Sequence, residues 1–208
     1  MIILDLFCSA GGVSQGIKKV FPNAEIIGVD NKPQKNYPFE FVLYDALKFP
    51  LSDFDFIWAS PPCQGFSKLT PKKYKVNHAN LIPAIRKRLI KTNIPYIIEN
   101  VYDAKKELIN PIMLCGSMFG KNFHRHRMFE SPYLNFDLLP FCITPKNQLL
   151  VYGSYTKKFS IIKREKKAIK KEICSQFDLY NMTLKELSQS IPIVYTEYLL
   201  KNIFKLND

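Results

Sequence analysis

The segment Ser60-Pro61-Pro62-Cys63-Gln64-Gly65-Phe66-Ser67 puts a cysteine directly after two prolines at the end of an apolar run, Asp55 to Ser60. Proline fixes φ and carries no amide hydrogen, so this segment holds the thiol rigidly at a strand end. A cysteine that only packs normally sits inside an apolar run, and Cys63 does not. A second run, Tyr96 to Asn100, ends in Glu99-Asn100-Val101 and brings a carboxyl group to the same edge. A thiol and a carboxyl group converging there are the components of nucleophilic catalysis with acid assistance.

Asp5-Leu6-Phe7-Cys8-Ser9-Ala10-Gly11-Gly12 couples a strand to a glycine turn and a helix. Backbone N–H groups and a helix N-terminus then face whatever binds, which suits a nucleotide-like ligand, although a glycine pair after a strand also serves as a plain tight turn. Asp30 closes the second apolar run and Asp45 the third. An acid at the tip of the second strand can take ribose hydroxyls, and one at the third can accept from an adenine amine. Either can instead cap a helix. Cys115, His124, His126 and Cys142 are ligand-type residues, but their spacing fits no zinc pattern and no metal is expected.

The elements that must hold these groups alternate along the chain. Apolar strands are predicted at 2–7, 25–30, 40–45, 55–60 and 96–100, with a helix from Ser14 to Val20 and a further strand or hairpin around 113–131. This is the rhythm of a doubly wound, mostly parallel α/β sheet, whose ligands bind at the carboxyl edge. Thr183 with Glu186 three residues on marks a helix start, Pro192 a break, and residues 194–204 a last helix. With 208 residues, 47% of them hydrophobic, one domain over 1–208 with one sizeable core is expected. Five widely spaced cysteines make no disulfide framework, and no run is long enough to span a membrane. An acid at position 5, where a signal peptide would be basic, adds to the expectation of an intracellular, cytoplasmic protein.

Thirty Lys and Arg against 18 Asp and Glu give a net charge of +12, which points to a polyanion, nucleic acid before membrane. Eight basic residues lie between Lys68 and Lys91 with no acid, and eight between Lys157 and Lys171 with one Glu. Both stretches can supply phosphate contacts or form solvated faces.

In order, DLFCSAGG, GVD, YDALKF, SPPCQGFS, IIENV, RHRMF and QSIPIVYTEYLL resemble the ordered motifs of the cytosine-C5 DNA methyltransferases, over about residues 2 to 130 and 188 to 200. LCGSMFG followed by HRHRMFE looks like the short methylases of phages and prophages, with protection or restriction-modification roles. The resemblance implies an S-adenosylmethionine-dependent, Rossmann-like methyltransferase acting on DNA. It implies Cys63 as the nucleophile toward C6 of cytosine, Glu99 at N3, and Arg125 and Arg127 holding the cytosine O2 and the catalytic loop. For the cofactor it implies Phe7, Gly11 and Gly12, Asp30 at the ribose, Asp45 at the adenine with Pro62 beneath it, and Ser190 and Ile191 at the methionine end.

Departures accompany the likeness. Phe123 stands where the family usually has Gln, and Gln189 about where it has Asn. Only about 60 residues separate Arg127 from Gln189, so a short basic insert over 140–185 replaces a full target-recognition region. Relaxed or short sequence recognition is expected. The same chemistry on single-stranded nucleic acid, RNA or a cytosine nucleotide is the alternative, and a catalytically silent binder the third reading. Retention of Cys63, Glu99 and both arginines argues against silence.

Overall fold

The computed structural model describes residues 1–63, 65–66, 79–134, 141–144, 149, 151 and 163–206. Seven strands form one sheet: Ile2–Leu6 (β1), Glu25–Asp30 (β2), Glu40–Leu43 (β3), Phe56–Ala59 (β4), Tyr96–Val101 (β5), Ile112–Leu114 (β6) and Arg127–Glu130 (β7). Their order is β3-β2-β1-β4-β5-β7-β6. The first five are parallel, whereas β7 runs antiparallel to both β5 and β6. Strand order reverses between β1 and β4, and a doubly wound sheet opens a crevice at the carboxyl ends of such a pair. Cys63 follows β4 and the glycine turn follows β1, so both borders of that crevice carry the residues singled out above.

The helices are Gly12–Val20 (α1), Ile82–Ile90 (α2), Lys163–Phe177 (α3), Leu184–Gln189 (α4) and Ile193–Phe204 (α5). Because side chains alternate along a strand, β1 feeds both faces of the sheet. Ile3 packs with Val13, Ile17, Phe56, Trp58, Tyr195 and Leu199 beneath α1 and α5. Leu4 and Leu6 pack with Ile57, Ile82, Ile85 and Leu89 beneath α2. α1 and α5 meet closely at Gly16, where a Cβ would lie 2.7 Å from the Thr196 Cβ. The start of α4 is the predicted one: Thr183 accepts from the Glu186 amide, and Glu186 accepts from the Thr183 amide.

Three strands end earlier than the apolar runs that announce them, β4 by one residue at Ala59, and local geometry explains the other two. β1 stops at Leu6 because Phe7 turns into the left-handed region, φ 61°. β3 stops at Leu43, and Asp45 then accepts from the Leu47 amide in a turn of its own. No described helix is long and apolar enough to cross a membrane.

The first basic stretch is partly structural. Arg86 on α2 grips Glu130 of β7 through two contacts of 2.6 Å, Nε to Oε1 and Nη2 to Oε2, and also donates to the Glu107 carbonyl. Arg88 donates to the carbonyls of Ala46 and Phe49. These two arginines are therefore withdrawn from phosphate contact, while Lys87 and Lys91 remain exposed. Residues 68–78 of that stretch, and residues 157–162 with the side chains of 163–166 in the second, lie outside the described residues.

Glu130 is 3% exposed and also accepts from the Ile109 amide. Glu130→Ala leaves a poorly solvated guanidinium without its partner and is expected to cost about 3–5 kcal/mol in chemical denaturation. A loss below about 1 kcal/mol would reduce the pair to an ordinary surface ion pair.

Candidate active site

The turn after β1 forms one wall of a cleft of about 990 Å³ at the switch point. Gly11 adopts φ 80° to start α1, and no side chain caps that helix N-terminus. Its missing Cβ is required by packing, because one would meet Tyr37 and Pro38 at 2.9 Å. Gly12 has the same constraint from Ser190, also at 2.9 Å, so the glycine turn and the last sequence block touch directly. Asp30 supports the turn from β2: one carboxylate oxygen accepts from the Ser9 amide and the other from the Lys32 amide.

Beneath this wall lies Asp5, 1% exposed, with one oxygen accepting from Ser14 Oγ at 2.5 Å and the other without a partner among the described residues. Tyr37 shares the Ser14 hydroxyl at 2.8 Å. Burial, against the Ser14 hydrogen bond, pushes the Asp5 carboxyl up to about 7. Neighbouring Cys8 is pushed far up by burial and by Asp5 and Asp30, which keeps its thiol protonated.

The opposite wall begins where β4 ends. Trp58 Nε1 donates to Ser60 Oγ, and Asn100 Nδ2 reaches across from β5 to the Pro61 carbonyl at 2.9 Å. The Pro61-Pro62-Cys63 segment is thereby fastened to the end of the strand that carries Glu99. The Glu99 carboxylate meets Arg127 Nε at 3.1 Å, both side chains nearly closed to solvent. Burial raises the Glu99 carboxyl, opposed by Arg127 and by a hydrogen bond from Ser60. Cys63 feels the same three charges: burial and Glu99 raise its thiol, while Arg127 and Arg125 pull it down. A raised carboxyl beside a thiol held by the chain is an arrangement that can supply an acid and, once deprotonated, a nucleophile.

Arg125 does something different from its neighbour two residues on. It is 6% exposed and donates to three carbonyls: Val151 at 3.0 Å, Ser188 at 2.8 Å and Ser190 at 3.1 Å. Tyr195 on α5 in turn donates to the Arg125 carbonyl at 2.7 Å. Arg125 thus binds the end of α4 to the segment leading into β7. Phe123, where the family pattern has a polar residue, is fully buried against Phe177, with ring centroids 4.9 Å apart.

Cys63, Glu99, Arg125, Arg127, Phe7, Gly12, Asp30, Asp45, Pro62, Ser190 and Ile191 all line the one cleft, and Gly11 alone of the expected set lies behind it. Asp45 sits two residues past β3, with its ring of turn contacts completed by Lys48 at 3.6 Å. Three contributors escape a motif reading. Asn100 and Tyr195 act through backbone carbonyls, which no pattern of side chains announces. Asp5 did carry a signal, as an acid inside the apolar run Ile2 to Phe7.

The same fold is found in solved methyltransferase structures. EhMeth of Entamoeba histolytica superimposes with a TM-score of 0.65 at 17% identity, covering 100% of this chain and 99% of that one. A mutant of Spodoptera frugiperda DNMT2 gives 0.64 at 16% identity, covering 98% and 99%. S. pombe Dnmt2 gives 0.61 at 15%, covering 99% and 98%. No curated protein sequence matches. At such identities the likeness is one of fold, a Rossmann-like sheet of the S-adenosylmethionine-dependent type. The sequence profile described as C-5 cytosine-specific DNA methylase matches residues 1–110, the stretch that holds both glycines, Cys63 and Glu99. By that match over more than half its length, with the fold in agreement, the chain belongs to the C-5 cytosine-specific DNA methylases and takes S-adenosylmethionine as its methyl donor.

Proposed function

We propose that this protein methylates C5 of cytosine in DNA through a transient bond between Cys63 Sγ and C6. The observation that carries this reading is the cluster at the end of β4 and β5, where the Glu99–Arg127 pair flanks the proline-held thiol. Cys63, as thiolate, forms the S–C6 bond, and the C5–C6 π pair moves onto C5. Glu99, protonated or shared with N3, takes up the charge that addition would leave on the ring. S-adenosylmethionine, when bound, would supply the electrophilic methyl group, its sulfonium carbon–sulfur bond breaking to leave the neutral thioether S-adenosylhomocysteine. Loss of the C5 proton to a base then re-forms the C5–C6 double bond and expels Cys63 as thiolate. Arg127 neutralises Glu99 and faces the base, whereas Arg125 positions that segment through its carbonyl contacts.

The residues present suit the methyl donor. Two polar features of the β1–α1 wall lack partners among the described residues: one oxygen of Asp5 and the uncapped start of α1. A carboxylate suits the helix start and an ammonium suits Asp5, and the methionine end carries both. Asp30 would take the ribose, with Asp45, Phe7 and Pro62 around the adenine and Ser190 and Ile191 closing the methionine end.

DNA is favoured as substrate by the family description and by the +12 charge. Neither C6 nor N3 is reachable within a stacked duplex, so the base is extruded or arrives unpaired. About 60 residues between Arg127 and Gln189 leave little chain for base-edge contacts, which supports a target of about two to four bases.

DNA carrying 5-fluorocytosine is expected to trap a covalent adduct, since fluorine cannot leave as the C5 proton does, and Cys63→Ala is expected to abolish it. An adduct surviving that substitution removes Cys63 from the role. Trapping confined to RNA or to a free nucleotide would keep the chemistry and transfer the substrate. By calorimetry, Asp30→Ala should weaken S-adenosylmethionine by about 1.5–3 kcal/mol. Unchanged affinity would displace Asp30 from the ribose.

Asp5 adds a pH dependence of definite sign. Only its ionised form attracts an ammonium, and its carboxyl titrates at about 7 in the free protein. Cofactor affinity should therefore rise between about pH 6 and 8, by up to about tenfold per unit below the titration point. In Asp5→Asn the profile should be flat and the affinity lower. A wild-type profile that is flat, or falls with pH, would sever Asp5 from the methionine end.

A further inference from the structure

On the border of the cleft, four side chains from three separate segments point at one another. Cys115 follows β6 and begins a short turn at Gly116–Phe119, His124 and His126 precede β7, and Cys142 lies in the described segment 141–144. Their ligand atoms, two sulfurs and two ring nitrogens, all lie within 4.8 Å of one another. His124 Nε2 is 2.9 Å from Cys142 Sγ, His126 Nε2 is 3.3 Å from the same sulfur, and the two Nε2 atoms are 3.2 Å apart.

Hydrogen bonding alone repays this convergence poorly. Two Nε2 atoms aimed at each other can share one proton at most, and thiols are weak donors and weak acceptors. A cation resolves it. Bonds of about 2.0–2.1 Å to nitrogen and 2.3 Å to sulfur in a tetrahedron separate two nitrogens by about 3.4 Å and two sulfurs by about 3.8 Å. The two Nε2 atoms, 3.2 Å apart, lie near their edge, and the nitrogen–sulfur distances of 2.9 and 3.3 Å need to open only toward a mixed edge of about 3.6 Å to admit the ion. Cys115 is buried and the other three half-buried, and Ser117 Oγ stands 3.4 Å from Cys115 Sγ and 3.7 Å from Cys142 Sγ, where its hydroxyl can support a thiolate.

The geometry points to a structural zinc site formed by Cys115, His124, His126 and Cys142. Two sulfurs and two imidazoles in a closed tetrahedral set suit Zn²⁺ before harder divalent ions. Binding converts both thiols to thiolates with release of two protons, so the dication and its ligands are neutral together. The site's consequence lies in the chain order His124-Arg125-His126-Arg127, in which ligands alternate with the two arginines. The metal clamps the segment that presents Arg127 to Glu99, tying it to the turn after β6 and to residues 141–144. Spacing argues against a metal here only because the ligands come from distant segments with no C-x-x-C pair.

The full-length protein, purified without chelator from zinc-supplemented cells, is expected to contain about one zinc ion per chain by mass spectrometry of the metal. After the metal is stripped, Co²⁺ titration should give the visible bands of a tetrahedral site and the ultraviolet thiolate-to-cobalt band. The Cys142→Ser and His126→Ala variants should lose stoichiometric zinc, and Cys174→Ser, which alters a cysteine elsewhere, should keep it. Wild-type protein free of zinc and spectroscopically silent with Co²⁺ overturns the site, whether or not the variants fold. So does zinc that persists undiminished in Cys142→Ser, or a Cys115–Cys142 disulfide in the protein as isolated. None of these readouts depends on methyl transfer, so failure here leaves the proposed activity standing.

Discussion

Arg125 carries a positive charge into a place almost closed to solvent, and the cleft depends on how that charge is accommodated. Desolvation is offset by three backbone carbonyls, which belong to residues 151, 188 and 190. Those carbonyls come from parts of the chain far from Arg125 in sequence, so pairing its Nη1 and Nη2 also holds the C-terminal block against the sheet, while its buried Nε has no partner among the described residues. Ser190, so fixed, fills the space left by Gly12, which joins the β1–α1 wall to the arginine segment. Tyr195 completes it by binding the Arg125 carbonyl, which ties α5 into the same arrangement.

Across the cleft the electrostatics are arranged with the opposite purpose. Burial disfavours both the Cys63 thiolate and the Glu99 carboxylate, and the two would repel each other if ionised together. Arg127 moderates both penalties without cancelling them. The free protein therefore holds a protonated thiol, which must lose its proton before it can act as a nucleophile, beside a carboxyl group that is easier to protonate than usual. Asp5 repeats the principle on the other wall, where burial leaves a carboxyl that ionises near neutrality and one oxygen free for a cationic partner.

A clamp on the outer side of the arginine segment fits this division of labour. Arg125 secures its inner side through carbonyls, and the Cys115, His124, His126 and Cys142 cluster would secure the outer side through a metal. Short strands such as β6 and β7, three and four residues long, pair only with each other and β5. With so few ladder hydrogen bonds, side-chain anchors carry much of the task of keeping Arg127 beside Glu99.

Much of this was legible in the residues alone. The parallel sheet follows from apolar runs of strand length separated by turn and helix patterns, because the period of hydrophobicity is set by local geometry. Cys63 was conspicuous because two prolines before a thiol are difficult to explain by packing, and the capping box at Thr183 and Glu186 is a local interaction over three residues. Other features required the tertiary structure. Arg86 and Arg88 read as part of a basic run, yet Glu130 and three carbonyls consume them, since a sequence does not reveal which charges find buried partners. Arg125 and Arg127 look equivalent, and only their surroundings make one a strut and the other a partner of Glu99. The four ligand-type residues at 115, 124, 126 and 142 match no linear pattern. They meet because β6, the segment before β7 and residues 141–144 are brought side by side by folding, and proximity of that kind is decided by packing across the chain.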